Sequence, residues 1–392
     1  MTTIAPTPLY HLSSQSWRYS EDELAQIRKT LNEQAVDRVR KLWEQEQAHR
    51  HEEPALLQPN ASSSTATTPA PASTPTTPPL PSEIQYLTVE DEQALVTYYL
   101  TQVAALCGAF KYPEIVTATA MTYLKRFYLR NTCMDYHPKN IMLTCVFLAT
   151  KTENCSTSID QFAARIPNSS PADILALEFL VSQSLHFEYK VHHAHVALNG
   201  LLLDMQSCSD GDSDDVDLTS ALSAAWPKAQ AYCRASRLTS VELVYTPAQI
   251  ALACFRLADP TLVDRWLESK EHRRKRRTPS GHGSAAGPTG TGPGTAGVDQ
   301  VAAGQDDLGR DELIGAVLDR VQSVVQDAQK NPIDKARVKE VDLRLRWARN
   351  PEKDPNSALF KKRKAAEDAL RDEKDRAKAA RRPATDDSSV FD

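Results

Sequence analysis

The chain has 392 residues, 41% of them hydrophobic, and a formal net charge of −5. That length accommodates two domains of ordinary size or one with long tails, and the mild acidity argues against a dedicated nucleic-acid binder. Seven cysteines without a CxxC pair point to reduced, buried thiols rather than a disulfide framework or zinc site. The start of the chain shows no apolar signal region, and no run of about 18 apolar residues occurs, so neither secretion nor a membrane span is expected.

In chain order, residues 20–50 predict one long helix. Ser20 and Glu23 form an S-x-x-E capping box, and Leu24, Ile27, Leu31, Ala35, Val39 and Leu42 recur at helical spacing. The stripe is narrow, so this helix must lie on something. Residues 59–82 are a Pro/Ser/Thr/Ala tract that cannot offset the entropy of ordering and read as a linker. Its Thr-Pro pairs are either sites for proline-directed kinases or part of a bland spacer. Five helices are expected next, over about 89–109, 114–130, 138–152, 158–165 and 171–186, with Pro113, Pro138 and Pro171 at or near their starts. A second set is expected over about 193–206, 227–238, 247–258, 260–268 and 310–329. The acidic stretch 209–217 and the Gly-rich stretch 278–305 read as loops. After Pro332 a further amphipathic helix carries Val338, Val341, Leu345 and Ala348 on one side. The end of the chain is charged and expected to be solvated.

One phrase occurs twice: YHPKNIMLTCVFLAT from Tyr136 and YTPAQIALACFRLAD from Tyr245. Tyr, Pro, Ile, Leu, Cys, Leu and Ala hold the same places in both. A helix that is apolar almost all round must be enclosed by other helices. Each copy, with two helical segments before it and two after it, therefore reads as the centre of its own bundle. The predicted fold is all-α, a tandem duplication of a five-helix unit with extra N-terminal and C-terminal helices; coincidence between two buried helices is the competing explanation. The expected organisation is an N-terminal segment over 1–53, a linker over 54–82, a first repeat over 83–190, a second over 191–330 containing the Gly-rich loop, a helix within 331–350 and a charged tail over 351–392.

Two such repeats resemble the cyclin fold. MTYLKRFYLRNTCMDYHPKNIMLTCVFLATKTEN looks like a cyclin box, and KRFYL followed by MDYHPKNIMLTCVFLATK is most similar to the cyclin H branch of that family. LYHLSSQSWRYSEDELAQIR and LVYTPAQIALA agree with the same branch, so the resemblance covers roughly residues 9–50 and 83–330. Where many cyclins have Asp before the Arg of the second helix, this chain has Lys125-Arg126. The acidic pair after the third helix reads Thr152-Glu153-Asn154. The first helix, VEDEQALVTYYLTQVAAL, lacks the motif of the substrate-docking groove of cell-cycle cyclins.

The chain carries no phosphate loop, G-x-S-x-G or HExxH, so no enzyme activity, cofactor or metal is expected. HHAH at 192–195 has no carboxylate or Cys at ligand spacing and reads as surface or core histidines. The clusters RRKRR (Arg273 to Arg277) and KKRK (Lys361 to Lys364) are either nuclear import signals or solvated basic patches.

By its resemblance to cyclins, the first repeat is expected to pack against a kinase near its mobile αC helix. Lys151 at the end of the third helix and Glu178 in the fifth are expected to hydrogen-bond kinase backbone. From the sequence alone, the simpler reading of Lys151 is a cation complementing a helix dipole. Glu178, among Ile174, Leu175, Leu177 and Val181, reads equally as a boundary residue turned to solvent. The resemblance implies the regulatory subunit of a CDK-activating kinase in the nucleus. Its implied partners are a cyclin-dependent kinase of that type, a RING-finger assembly factor and the TFIIH core, with no membrane and no direct nucleic-acid contact. Another transcriptional cyclin of the C, K or T type, or a TFIIB-like DNA-binding factor, are the alternatives. The absence of cysteine from the first 60 residues, where a zinc ribbon would sit, speaks against the second.

Overall fold

The computed structural model describes residues 17–52, 83–207, 214–277 and 302–380. The linker over 54–82 falls outside the described residues. So do the first sixteen residues, most of the Gly-rich stretch and residues 381–392. Among the described residues there is no strand.

The helices are α1 (Glu21–Glu52), α2 (Val89–Phe110), α3 (Glu114–Phe127), α4 (Pro138–Thr152), α5 (Ile159–Ala164), α6 (Pro171–Ser184), α7 (Ala194–Gln206), α8 (Asp214–Ser236), α9 (Pro247–Ala258), α10 (Pro260–Arg277), α11 (Ala302–Lys330), α12 (Lys335–Ala348) and α13 (Ala358–Ala380). Short 3-10 turns lie at Val241–Leu243 and Pro351–Lys353. The all-α expectation holds, and so does the pattern of two five-helix sets with additional helices at both ends.

The described chain forms two compact units. The first takes residues 17–25, 97–127 and the described part of 142–333; the second takes 26–52, 83–96, 128–141 and 334–380.

In the first unit, α9 is the hub: it packs against α7, α8, α10 and α11. Ile250, Ala251, Ala253, Cys254 and Phe255 are buried, as the apolar girdle of this helix requires. Thr246 and Gln249 close a full capping box around its first turn, with Pro247 at the position that needs no N–H. Its one charged residue, Arg256, reaches Asp319 of α11 at 2.9 Å. The other copy of the repeated phrase behaves alike. Residues 141–150 of α4 are all buried; Thr144 donates to the Ile174 carbonyl at 3.2 Å, and Phe147 meets Phe162 of α5 with ring centroids 5.6 Å apart.

The second unit holds the long remainder of α1. Ala35, Val39, Leu42 and Trp43 are buried. Asn32 donates to the Leu87 carbonyl at 3.0 Å, and Trp43 donates to the Arg349 carbonyl at 3.1 Å. Val338, Val341, Leu345 and Ala348 of α12 are buried as their spacing predicts. Buried Asp91 binds Arg344 at 2.9 Å and Arg337 at 3.3 Å. Asp135 accepts from Arg38, from Asn350 at 2.8 Å and from Thr132 at 3.0 Å.

Four boundaries differ from the sequence reading. Helix α10 runs to Arg277, past the expected end near 268. Helix α8 begins at Asp214, within the acidic stretch read as a loop, and not at Pro227, which lies inside it. Leu222 and Ala225, ahead of the proline, are buried in the core around α9, and that packing offsets the roughly 3 kcal/mol an interior proline costs. Helix α11 begins at Ala302, within the stretch read as a loop. Residues 358–380 form a helix where only a charged tail was expected. Its side chains are largely exposed, as solvation demands, but Ala, Lys, Glu and Arg are strong helix formers. Glu46, fully buried, accepts from the backbone N–H groups of Ala358 and Leu359, both at 3.0 Å, and so caps its first turn.

Candidate functional site

Lys151 stands in the last turn of α4 and Glu178 in the middle of α6. Both helices are placed by buried faces. Ile174 and Val181 anchor α6, whose start is fixed by Ser170 capping the Asp173 N–H at 3.2 Å and by Pro171 at N1. The structure brings the two residues together: Lys151 Nζ lies 2.6 Å from Glu178 Oε1. Lys151 also stands 4.5 Å from the Phe147 ring centroid, which orients its ammonium. The side chains are 39% and 23% exposed, so the pair faces outward without being free in water.

Around this pair lies apolar surface. Leu175 and Phe179 sit one turn apart on α6 and are 42% and 68% exposed; Phe187 is 54% exposed. The Phe179 and Phe187 ring centroids are 6.1 Å apart. Phe187 is put there by an unusual helix exit. His186 and Phe187 both adopt left-handed backbone, φ 56° and 58°, and their N–H groups return to the Gln183 and Ser182 carbonyls at 3.0 and 2.9 Å. Left-handed backbone is unfavourable for such side chains, so this exit is held by its surroundings. Asn154 ends α4 in the same conformation, φ 55°, which asparagine tolerates better than an acidic residue.

The arrangement offers ammonium N–H donors and a second carboxylate oxygen, framed by three exposed apolar side chains. It suits recognition of another protein's backbone. Sequence reasoning identified the two charged residues but passed over Phe179 and Phe187. The available signal was that α6 carries apolar residues on two faces, Ile174 and Val181 on one, Leu175 and Phe179 on the other.

The other residues singled out in the sequence serve packing. His193 is 7% exposed and 2.7 Å from the Thr119 hydroxyl, which donates to Glu153 at 2.6 Å. The hydroxyl proton is thus committed, and His193 Nε2 must be the donor. Burial, followed by neighbouring cations, lowers the His193 pKa to about 3, so the ring is neutral. Lys125, at the family's Asp position, is 6% exposed. It donates to the carbonyls of Arg237 at 2.8 Å and Thr239 at 3.0 Å and pairs with Glu242 at 2.8 Å. Arg273 to Arg277 lie in the last turns of α10, and Lys361 to Lys364 lie on α13, where the three lysines are exposed.

Comparison with known proteins agrees with this architecture. The cyclin N-terminal domain model matches residues 78–190 and the cyclin C-terminal domain model matches residues 193–329. Cyclin CCL1 of Saccharomyces cerevisiae is 33% identical over 272 residues, 68% of this chain and 62% of that protein. Cyclin-H1-1 of Arabidopsis thaliana is 34% identical over 192 residues, 48% of this chain and 56% of that protein. The matches thus span less than two thirds of either relative. Among solved structures, a chain of the CAK complex from Chaetomium thermophilum bound to ATP-gamma-S superposes with a TM-score of 0.61 at 22% identity, covering 97% of this chain and 96% of that one; at that identity the likeness speaks to the fold. The paired helical sets, the two buried copies of the repeated helix and both family models lead to one assignment: the chain belongs to the cyclin family.

Proposed function

We propose that the chain is a cyclin H-like regulatory subunit that binds and activates a cyclin-dependent kinase of the CDK-activating type and performs no catalysis itself. The observation that carries this reading is the Lys151–Glu178 pair set among exposed Leu175, Phe179 and Phe187. Apolar side chains at the centre of an interface supply most of the affinity, while the charged pair fixes register against kinase backbone. An isolated kinase populates arrangements in which its αC helix is displaced and the Lys–Glu ion pair needed for phosphate positioning is open. A subunit that binds the closed arrangement better shifts the population toward it. The partners in this reading are that kinase, a RING-finger assembly factor and the TFIIH core, acting in the nucleus on the RNA polymerase II C-terminal domain and on other kinases. Similarity to cyclin H-type relatives supports this branch over cyclins of the C, K or T type.

The test is reconstitution of the full chain with a purified kinase subunit of the CDK-activating type, with phosphorylation of a polymerase C-terminal-domain peptide as readout. Activation of at least tenfold is expected, and no activation at saturating subunit would sink the proposal. Affinity purification from nuclear extract separates the branches, since TFIIH subunits are expected with this chain.

A further inference from the structure

Within the first unit, a cavity of about 690 Å³ opens beside Trp17, between the ends of α3, α7 and α9. Its lining has an excess of cations. Arg18, Arg126, Lys190 and Arg237 line it, against the single carboxylate Glu242. Glu242 is bound by Lys125 at 2.8 Å, and Arg237 is bound by Glu114 at 2.7 Å, so these charges are spoken for.

Arg126 is different. It is 7% exposed, and among the described residues no carboxylate lies within ion-pair distance of it. Its guanidinium lies over the Trp17 ring, 5.0 Å from the centroid, and makes one long hydrogen bond, 3.4 Å, to the Glu188 carbonyl. Its buried Nε has no partner. Trp17 itself is held by donating to Glu188 at 2.8 Å. The carboxylates of Glu242 and Glu188 act on it only from beyond ion-pair distance; a buried guanidinium so weakly compensated is costly, and its planar fork matches phosphate and carboxylate.

The surroundings carry the same sign. The first turn of α7 lines the cavity, and its N-cap residue His193 provides no side-chain cap, leaving the positive end of the helix open. Burial, and then the cations Lys190 and Arg126, keep His192 below its usual range, hence neutral. Ile115, Val191, Val196 and Pro247 add apolar wall beside the hydroxyl-bearing Thr122, Ser236, Tyr245 and Thr246, and the volume far exceeds that of one phosphate group. Such a mixture fits a charged side chain flanked by apolar residues.

We infer that this cavity is a binding site for a phosphorylated peptide, the phosphoryl group lying against the Arg126 guanidinium and the flanking residues on the Trp17, Ile115 and Val196 walls. This surface is separate from the Lys151–Glu178 surface and does not depend on the kinase-activator reading.

The test uses the full chain and fluorescence anisotropy. The probes are a labelled peptide pool with randomised residues around a fixed phosphothreonine, the same pool unphosphorylated, and inorganic phosphate. The phosphorylated pool is expected to bind at least ten times tighter than the unphosphorylated one, with affinity falling as salt rises. Arg126→Gln is expected to abolish that preference. Because a glutamine at this buried position can also unfold the protein, thermal melting accompanies it, and a second variant, Arg18→Ser with Lys190→Ser at the exposed rim, is expected to weaken binding about fivefold in a native fold. Equal binding of the two pools, a preference surviving in folded Arg126→Gln, or an unchanged rim variant overturns the site. Inorganic phosphate binding as tightly as the phosphorylated pool overturns the peptide as its ligand.

Discussion

Lys151 and Glu178 come from different helices, meet at 2.6 Å, and sit between a buried hub and an exposed apolar rim. An ion pair this exposed contributes at most about 1 kcal/mol to folding. Lys151→Ala and Glu178→Ala are therefore expected to melt close to wild type. A hydrogen bond to a charged group contributes about 1.5–3 kcal/mol at a desolvated interface. Each variant should lose about ten- to a hundredfold in kinase affinity, read by calorimetry or surface binding. The reversed pair, Lys151→Glu with Glu178→Lys, restores the internal salt bridge but inverts what the partner meets. Recovery of kinase binding by the reversed pair would show that the two residues act only on each other.

Lys125 donates two hydrogen bonds, to the carbonyls at residues 237 and 239, and forms an ion pair with the Glu242 carboxylate. Lys125→Met keeps the length of the stem and removes the charge. The acceptors are then left unpaired in a buried site, and a loss of about 3–5 kcal/mol in unfolding free energy is expected by urea titration. A loss under about 1 kcal/mol would mean that water takes the place of the ammonium.

Glu92 supplies a pH dependence. Burial, opposed by the Cys133 N–H and Asn32 and helped by Asp135 and Asp91, raises its pKa from 4.5 to about 7. The folded state thus binds a proton that the unfolded state has released between those values. Its contribution is fully present below about pH 4.5 and is lost as pH rises through 7, up to about 3 kcal/mol in all. Glu92→Gln, a neutral isostere, should flatten the stability profile over this range and make the protein more stable than wild type at pH 8. An unchanged slope between pH 5 and 7 in the variant would assign that slope to other groups.

Glu46 is buried and caps α13 through two backbone N–H groups. Glu46→Ala removes both bonds and is expected to cost about 1–3 kcal/mol. Hydrogen exchange at Ala358 and Leu359 should accelerate with it. Exchange at wild-type rates would show that α13 does not depend on this cap.

Much of this was legible in the sequence, because hub helices have no polar face to disguise them. Ile141 to Ala149 and Ile250 to Ala258 declared themselves by composition, and the buried stripe Val338, Val341, Leu345 and Ala348 by period. The start of α8 was not legible, since an interior proline mimics a helix start and only contact with α9 reveals otherwise. Nor was α13, whose exposed charged face has no apolar period to read. At the site, chemistry type marked Lys151 and Glu178, but Phe179 reads like any core aromatic in one dimension. Its 68% exposure is a property of how α6 is turned, fixed by Ile174 and Val181 on the opposite side.

The bonds that close the second unit join residues far apart in the chain: Trp43 to Arg349, Glu46 to Ala358, Asp135 to Asn350. A ribosome adding about 5–20 residues per second needs on the order of 15–60 s to travel from the first helix to its latest partners. During that interval the stripe of Ala35, Val39, Leu42 and Trp43 is synthesised, helical by its own propensity, and still wet. Nascent chains of this protein should therefore be long-lived clients of hydrophobic-segment chaperones, and a transcript stopping shortly before codon 334 should yield a product that stays with them.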